Sequence, residues 1–123
     1  MEEWEIRVTD EFLAWFATLD DTSQALVSDA IDRLSDAGPQ LGRPLVDRIT
    51  GSQVHDMKEL RPASTGRSEV RVLFAFDPWR SAILLVGGDK SGAWSAWYRI
   101  AIPKAEELYA AYLREREEEE GKP

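Results

Sequence analysis

The second half of the chain carries cations and aromatic residues that alternate with, or directly follow, apolar segments. Its members are Lys58, Arg61, Arg71, Lys90, Trp94, Trp97, Tyr98 and Arg99. Aromatic rings stack on exposed bases and guanidinium groups bind phosphates, so such a group on a sheet surface favours a single-stranded RNA ligand. The alternative is structural: Arg71 pairs across strands with Glu59 or Glu69, and the tryptophans fill the core. The pattern alone leaves both interpretations open.

Other chemistries are excluded by residue type or spacing. The chain has no cysteine, which excludes disulfides, thiolate metal sites and cysteine catalysis. A phosphate-binding loop would need glycines at the positions of Leu84 and Asp89. The single histidine, His55, has no G-x-S-x-G elbow to serve, so it is either an ordinary strand-edge residue or a proton-transfer group. No spacing indicates a metal site, and we expect no cofactor.

The net charge of −8 is unevenly distributed along the chain. Residues 1–41 carry a net charge of −8, residues 42–104 carry +4, and residues 105–123 carry −4. The total argues against a nucleic-acid partner, but the central segment still gathers the cations that an anionic partner requires.

Length and composition predict one domain. A chain of 123 residues that is 43% hydrophobic can bury a core without crosslinks. No apolar run approaches the roughly 20 residues of a membrane span, and the acidic start is unlike a signal peptide. We therefore expect a cytoplasmic protein without a membrane partner. Its domain should cover residues 1–113, and an acidic tail over residues 114–123 should fray or project into solvent.

The first part of the chain predicts a strand followed by a helical hairpin. Alternating apolar residues over positions 4–8 indicate a short strand. Apolar spacing of three and four residues indicates two helices over residues 10–37, the second capped by Asp21 and ended by Gly38. Residues 39–54 have no clear period, so we expect a connecting loop.

The remainder predicts three strands and a final helix. The strands are expected at residues 55–61, 70–76 and 82–86, and the last is apolar throughout, as in a strand covered on both faces. Within residues 70–76 the large apolar side chains alternate out of phase with Arg71, which should emerge on the other face. Pro103 is expected in the first turn of the final helix. Together these elements predict an α+β domain.

Three segments occur in an order that is typical of one protein family. They are MKELRP, SEVRVLFAFDPWRSAILLVGGDK and WYRIAIPKAEELYAAYL. They resemble the RelE/ParE superfamily of type II toxins, and more closely its HigB-like, phage-derived branch. The resemblance implies a small RelE-like domain. In such a domain an N-terminal strand and helical hairpin pack on an antiparallel-rich sheet, and a helix follows at the C-terminus.

The resemblance also implies a function. The chain would be the toxin of a type II toxin–antitoxin system, held inactive by a cognate antitoxin that is often a helix-turn-helix protein. Its activity would be that of a metal-independent endoribonuclease that cuts mRNA on the ribosome. The alternatives are a non-catalytic ParE-like inhibitor of DNA gyrase and an inactive member that only pairs with its antitoxin.

Matched residue by residue, the resemblance assigns roles to the cationic and aromatic group. Arg71 falls at the phosphate-contacting arginine, Arg61 at the arginine of ELR, and Lys90 at the basic residue that ends the apolar strand. The catalytic residues expected are Arg71, Lys90 and Tyr98, and the RNA-binding residues expected are Lys58, Arg61, Trp94 and Arg99. Lysine and tyrosine have a pKa near 10, so proton transfer by Lys90 or Tyr98 requires neighbouring like charges that lower it.

Overall fold

The computed structural model describes residues 3–54, 57–92 and 94–123 of the chain. Its strands are β1 (Glu5–Val8), β2 (Val46–Arg48), β3 (Met57–Leu60), β4 (Val70–Phe76) and β5 (Ser81–Asp89). Its α-helices are α1 (Asp10–Ala17), α2 (Asp21–Ala37) and α3 (Trp94–Glu120), and a short 3-10 helix (Gly38–Gln40) follows α2. The predicted α+β class is confirmed. Within the described ranges, no helix is both long and apolar enough to span a membrane.

The strands form one sheet in the order β1-β5-β4-β3-β2. β1 runs parallel to β5, and the other neighbouring pairs are antiparallel, which confirms the antiparallel-rich sheet. β5 is an interior strand, and residues 81–85 are buried, as its continuous apolar character predicts. The strand also continues to Asp89, beyond its predicted end.

Helices cover both faces of the sheet. Val70, Val72 and Phe74 of β4 pack with residues of α1 and α2 on one face. Leu73 and Ala75 pack with residues of α3 on the other. The predicted alternation of β4 is therefore confirmed, and it places Arg71 on the α3 face.

Two adjacent glycines in β5 allow tryptophans from opposite helices to rest directly on the sheet. A Cβ atom at Gly87 would lie 2.3 Å from Cε3 of Trp15, and one at Gly88 would lie 2.1 Å from Nε1 of Trp97. These distances are too short for any side chain, so the close approach requires glycine. Because Gly88 pairs with Arg71 of β4, the contact with Trp97 fixes the beginning of α3 beside Arg71.

Two local predictions in the first part of the chain are wrong. The cap of α2 is Asp20 rather than Asp21, because the Asp20 carboxylate accepts a 2.8 Å hydrogen bond from the backbone N–H of Ser23. The segment 39–54 contains β2, whose Val46 is buried and pairs with Leu60. Three residues are too few to show alternation, which explains why the pattern indicated a loop.

The final helix begins at Trp94, so Pro103 lies inside it and not in its first turn. Proline removes one backbone hydrogen bond within a helix. Ala101 and Ala105 on either side of Pro103 are buried against the sheet, so tertiary packing holds the helix through this position. Trp97 and Tyr98, which precede Pro103, therefore lie in the first turns of α3.

The segment 114–120 is helical rather than frayed, because a buried cation anchors it. The Arg116 side chain is 5% exposed, and its guanidinium lies 3.3 Å from Oδ2 of Asp77, which is fully buried. The Tyr112 hydroxyl donates a 2.5 Å hydrogen bond to the same oxygen. Oδ1 of Asp77 accepts from the backbone N–H of Ser81 at 2.8 Å. The end of α3 is thus tied to the turn before β5.

We expect Arg116→Leu to lower the free energy of unfolding by about 3–5 kcal/mol, because it leaves the Asp77 carboxylate buried without its cation. Urea denaturation measures this loss. Arg114→Leu is the matched control: it removes an exposed arginine from the same helix and should change stability by about 0.5 kcal/mol or less. Equal losses in the two variants would contradict the anchoring role.

Candidate active site

A buried carboxylate, Glu59, lies at the centre of the predicted cations, and its side chain is only 2% exposed. Its Oε1 accepts a 2.8 Å hydrogen bond from Nε of Arg61 and lies 3.9 Å from Nε of Arg71. Its Oε2 accepts a hydrogen bond from the Tyr98 hydroxyl. Three of the predicted site residues therefore meet at one carboxylate.

The strand register explains why these side chains share a face. Asp47 of β2 pairs with Glu59 of β3, and Glu59 pairs with Leu73 of β4, so the three form one row across the sheet. Arg61 and Arg71 each lie two residues from this row along their strands, and residues two apart point to the same face. This is the face that α3 covers.

Lys90, the residue that follows β5, is a third cation at the site. Its Nζ lies 5.6 Å from the centre of the Tyr98 ring and 3.7 Å from the Glu69 carboxylate. Its backbone N–H donates a 3.1 Å hydrogen bond to the carbonyl of Glu69. The predicted residues Arg61, Arg71, Lys90 and Tyr98 are therefore brought together.

Arg71 keeps an unused hydrogen-bond donor in this cluster. Its side chain is 16% exposed, and one guanidinium nitrogen donates a 2.8 Å bond to the carbonyl of Val70. Its Nε is buried and has no hydrogen-bond partner among the described residues. A buried donor without a partner is unfavourable by about 1–3 kcal/mol, so the fold leaves part of the hydrogen-bonding capacity of Arg71 unused.

A cleft of about 370 Å³ opens beside the cluster, with Arg61, Lys90 and Tyr98 in its wall. A second cleft of about 360 Å³ shares Tyr98 and includes Arg99. Together they form a continuous surface along the first turns of α3. Among the residues that the structure describes, no group of three acidic or histidine side chains is arranged to hold a metal ion.

The other predicted residues are placed differently. Lys58 lies on the opposite face of the sheet, with Nζ 5.6 Å from the centre of the Phe76 ring, because neighbours along a strand point to opposite faces. It therefore does not join Arg61 and Arg71. Arg99 is exposed beside the second cleft. His55 and the side chain of Trp94 lie outside the described residues.

Two acidic residues of the site are absent from the predicted set. The sequence pattern indicates Glu59 only as one alternative partner of Arg71. It does not indicate Asp47, which lies 3.2 Å from the Arg61 guanidinium. Glu59 and Arg61 stand two residues apart in a strand, a spacing that places both on one face and could have identified the pair. Nothing in the sequence distinguishes Asp47.

The pKa of Tyr98 is raised well above its usual value. Burial is the largest cause, and the hydrogen bond to Glu59 and its negative charge add to it, while Arg71 and Arg61 oppose it. The requirement that neighbouring cations lower this pKa is therefore not met at Tyr98: Arg71 and Arg61 do lower it, but burial and the Glu59 carboxylate outweigh them. Tyr98 is a protonated donor in the folded protein.

We expect Tyr98 to contribute nothing to the tyrosinate absorbance that develops near pH 10 in the folded protein. Because its folded pKa is raised, its contribution to stability is present below about pH 10 and is lost as the pH rises above that value. Native wild-type and Tyr98→Phe protein should give the same absorbance step. In denaturant the variant should lose one third of the step, since the chain has three tyrosines. A smaller native step in the variant would contradict the raised pKa.

We expect Glu59→Gln to lower the free energy of unfolding by about 1–3 kcal/mol, because Arg61 and Arg71 lose their shared counter-charge. Thermal and urea denaturation measure the change. Glu69→Gln removes a half-exposed carboxylate that pairs with Lys90, so its effect should stay below about 1 kcal/mol. If the two substitutions were equally mild, Glu59 would not hold the cluster together.

A family match covers most of the chain. Residues 14–110 match the family described as phage derived protein Gp49-like (DUF891). This range contains all the predicted site residues, from Lys58 to Arg99.

Two curated relatives come from Mycobacterium tuberculosis (strain ATCC 25618 / H37Rv), and their names propose them as the toxins HigB2 and HigB3. HigB2 is 51% identical over 105 residues, which are 85% of this chain and 52% of HigB2. The chain thus spans about half the length of that relative. HigB3 is 54% identical over 99 residues, which are 80% of this chain and 84% of HigB3.

The fold is similar to that of the E. coli toxin RelE, solved in the free state as a double arginine-to-alanine mutant. The TM-score is 0.57, and the match covers 80% of this chain and 98% of that chain. The sequence identity is 13%, so this likeness shows the fold alone. The resemblance inferred from the sequence is confirmed. The chain belongs to the Gp49-like family, as a HigB-like member with a RelE-like fold.

Proposed function

We propose that the protein is the toxin of a type II toxin–antitoxin system and that it cuts mRNA on the ribosome without a metal ion. The observation that supports this most is the meeting of Arg61 and Arg71 at Glu59, beside a cleft that Arg61, Lys90 and Tyr98 line. The toxin role also draws support from the names of HigB2, HigB3 and RelE.

Binding of RNA at this site requires an exchange of anions. Glu59 neutralises Arg61 and Arg71 in the free protein, and a phosphate offers the same two guanidinium groups an equivalent pair of acceptor oxygens. Arg61 is 34% exposed and lies in the wall of the cleft, where a phosphate can contact it. The negative charge that develops on the phosphoryl oxygens in the transition state would then be stabilised by these guanidinium groups.

The proton transfers follow from the position of Tyr98 between the cleft and Glu59. The RNA 2′-hydroxyl attacks the adjacent phosphorus, the bond to the 5′-oxygen breaks, and a 2′,3′-cyclic phosphate and a 5′-hydroxyl form. The 2′-hydroxyl proton passes to the Tyr98 oxygen as the Tyr98 proton passes to Glu59, so no free phenolate is required. The Lys90 ammonium gives a proton to the departing 5′-oxygen.

The proposed partners follow from the same cluster. An antitoxin, of the helix-turn-helix kind that the family resemblance implies, would inactivate the protein by placing an acidic segment over Arg61 and Arg71. Ribosomes and mRNA, the other proposed partners, place the activity in the cytoplasm.

We expect expression of the wild-type chain in a bacterial host to arrest growth and to produce mRNA ends within translated regions, detected by primer extension. Arg71→Ala should reduce cleavage about ten- to a hundredfold, because a charge-assisted phosphate contact is lost. Arg67→Ala is the matched control, since it removes an exposed arginine from the turn before β4. Melting temperatures of the purified variants separate a lost contact from a lost fold.

The outcomes distinguish the proposed activity from the alternatives. Full growth and intact mRNA at verified soluble expression would contradict the proposal. Arrested growth with intact mRNA and inhibited DNA supercoiling would replace it with gyrase inhibition. Cleavage of purified RNA is not required, because the ribosome is expected to align the substrate.

A further inference from the structure

Three cations line a groove of about 250 Å³ at the outer edge of the sheet. They are Arg43, Arg48 and Lys58, which we call the β2-edge cations. Lys58 belongs to the face that packs on α1 and α2, opposite the face of the candidate active site. The groove is therefore distinct from the cleft that holds Arg61 and Tyr98.

Two of these cations form an unfavourable pair. Arg48 of β2 and Lys58 of β3 are direct partners in the strand register, and like charges directly opposite each other destabilise a sheet. The nearby carboxylate, Asp47, pairs instead with Arg43 and Arg61. Among the described residues neither Arg48 nor Lys58 has an ion pair within 4.0 Å, so their repulsion is left for an external anion to offset.

The β2-edge cations are continuous with the candidate active site. Arg48 lines both the groove and the active-site cleft, so cations extend from Arg61 around the edge strand to Lys58. The Arg43 side chain is 79% exposed, and Arg48 is exposed as well. The remaining surface belongs to a chain with a net charge of −8, so this edge is where a polyanion can approach without repulsion.

We propose that the β2-edge cations bind the phosphates of the RNA strand next to the bond that is cut. This inference rests on the RNA-directed activity proposed above, and it assigns Arg43, Arg48 and Lys58 to binding rather than to chemistry. A single strand is flexible enough to bend around the sheet edge. RNA is favoured over an acidic peptide because the cations continue into the cleft where Arg61 and Lys90 lie, the proposed place of RNA cleavage.

The test is the salt dependence of RNA binding by the full chain. Fluorescence anisotropy with a labelled oligouridylate, over a series of KCl concentrations, gives the slope of log affinity against log salt. Arg48→Ala/Lys58→Ala should weaken binding at low salt and make the slope shallower by about 1.4, since each phosphate contact on a single strand contributes about 0.7. The melting temperature should be unchanged or higher, because the like-charge pair is gone.

The matched control is Arg33→Ala/Arg114→Ala, which removes the same charge from exposed positions on α2 and α3. It should leave the slope unchanged. Equal weakening by both pairs, an unchanged slope, or no RNA binding by the wild-type chain would overturn the inference. The inference would also be overturned if Arg48→Ala/Lys58→Ala weakened the binding of a polyglutamate peptide but left the binding of RNA unchanged. If the Arg48→Ala/Lys58→Ala variant cleaved mRNA in cells as the wild type does and its slope were also unchanged, this inference alone would be overturned. The proposed activity would stand.

Discussion

The site depends on the burial of one negative charge. Without Glu59, Arg71 would have no counter-charge among the described residues, Arg61 would keep only Asp47, and Tyr98 would have no carboxylate to receive its proton. A buried carboxylate is itself unfavourable unless several donors surround it. The arginines and the carboxylate therefore require each other, and the same contacts that stabilise this part of the sheet hold the groups that the proposed chemistry uses.

The helix that carries Tyr98 is fixed at both of its ends. Near its beginning, Trp97 contacts Gly88, and near its end, Arg116 pairs with Asp77 in the turn between β4 and β5. Between these points the buried residues of α3 face the sheet through small side chains such as Ala105. Tyr98 is therefore positioned by contacts at some distance from the chemistry, and the acidic run at the end of the chain has a structural role.

Patterns with a clear period could be predicted, and contacts between distant segments could not. The alternation of β4 placed Arg71 on the correct face, since it rests on the geometry of a single strand. Lys58 was predicted to belong to the site because of its charge, although strand alternation places it on the opposite face of the sheet from Arg61. β2 was too short to show a period. The role of Arg116 could not be predicted because it stands among glutamates, a composition typical of a solvent-exposed helix. Glu59 could not be predicted as the centre of the site, because its partners come from the end of β3, from β4 and from α3.

The two adjacent glycines of β5, Gly87 and Gly88, determine how closely α1 and α3 approach the sheet. Trp15 lies against one side of this strand and Trp97 against the other, one residue apart, so only backbone separates the two helical layers there. The two rings contact opposite faces of the same strand. Because Gly87 and Gly88 have no side chains, α1 and α3 are both positioned by the same part of β5. The position of the proposed site on α3 depends on this contact.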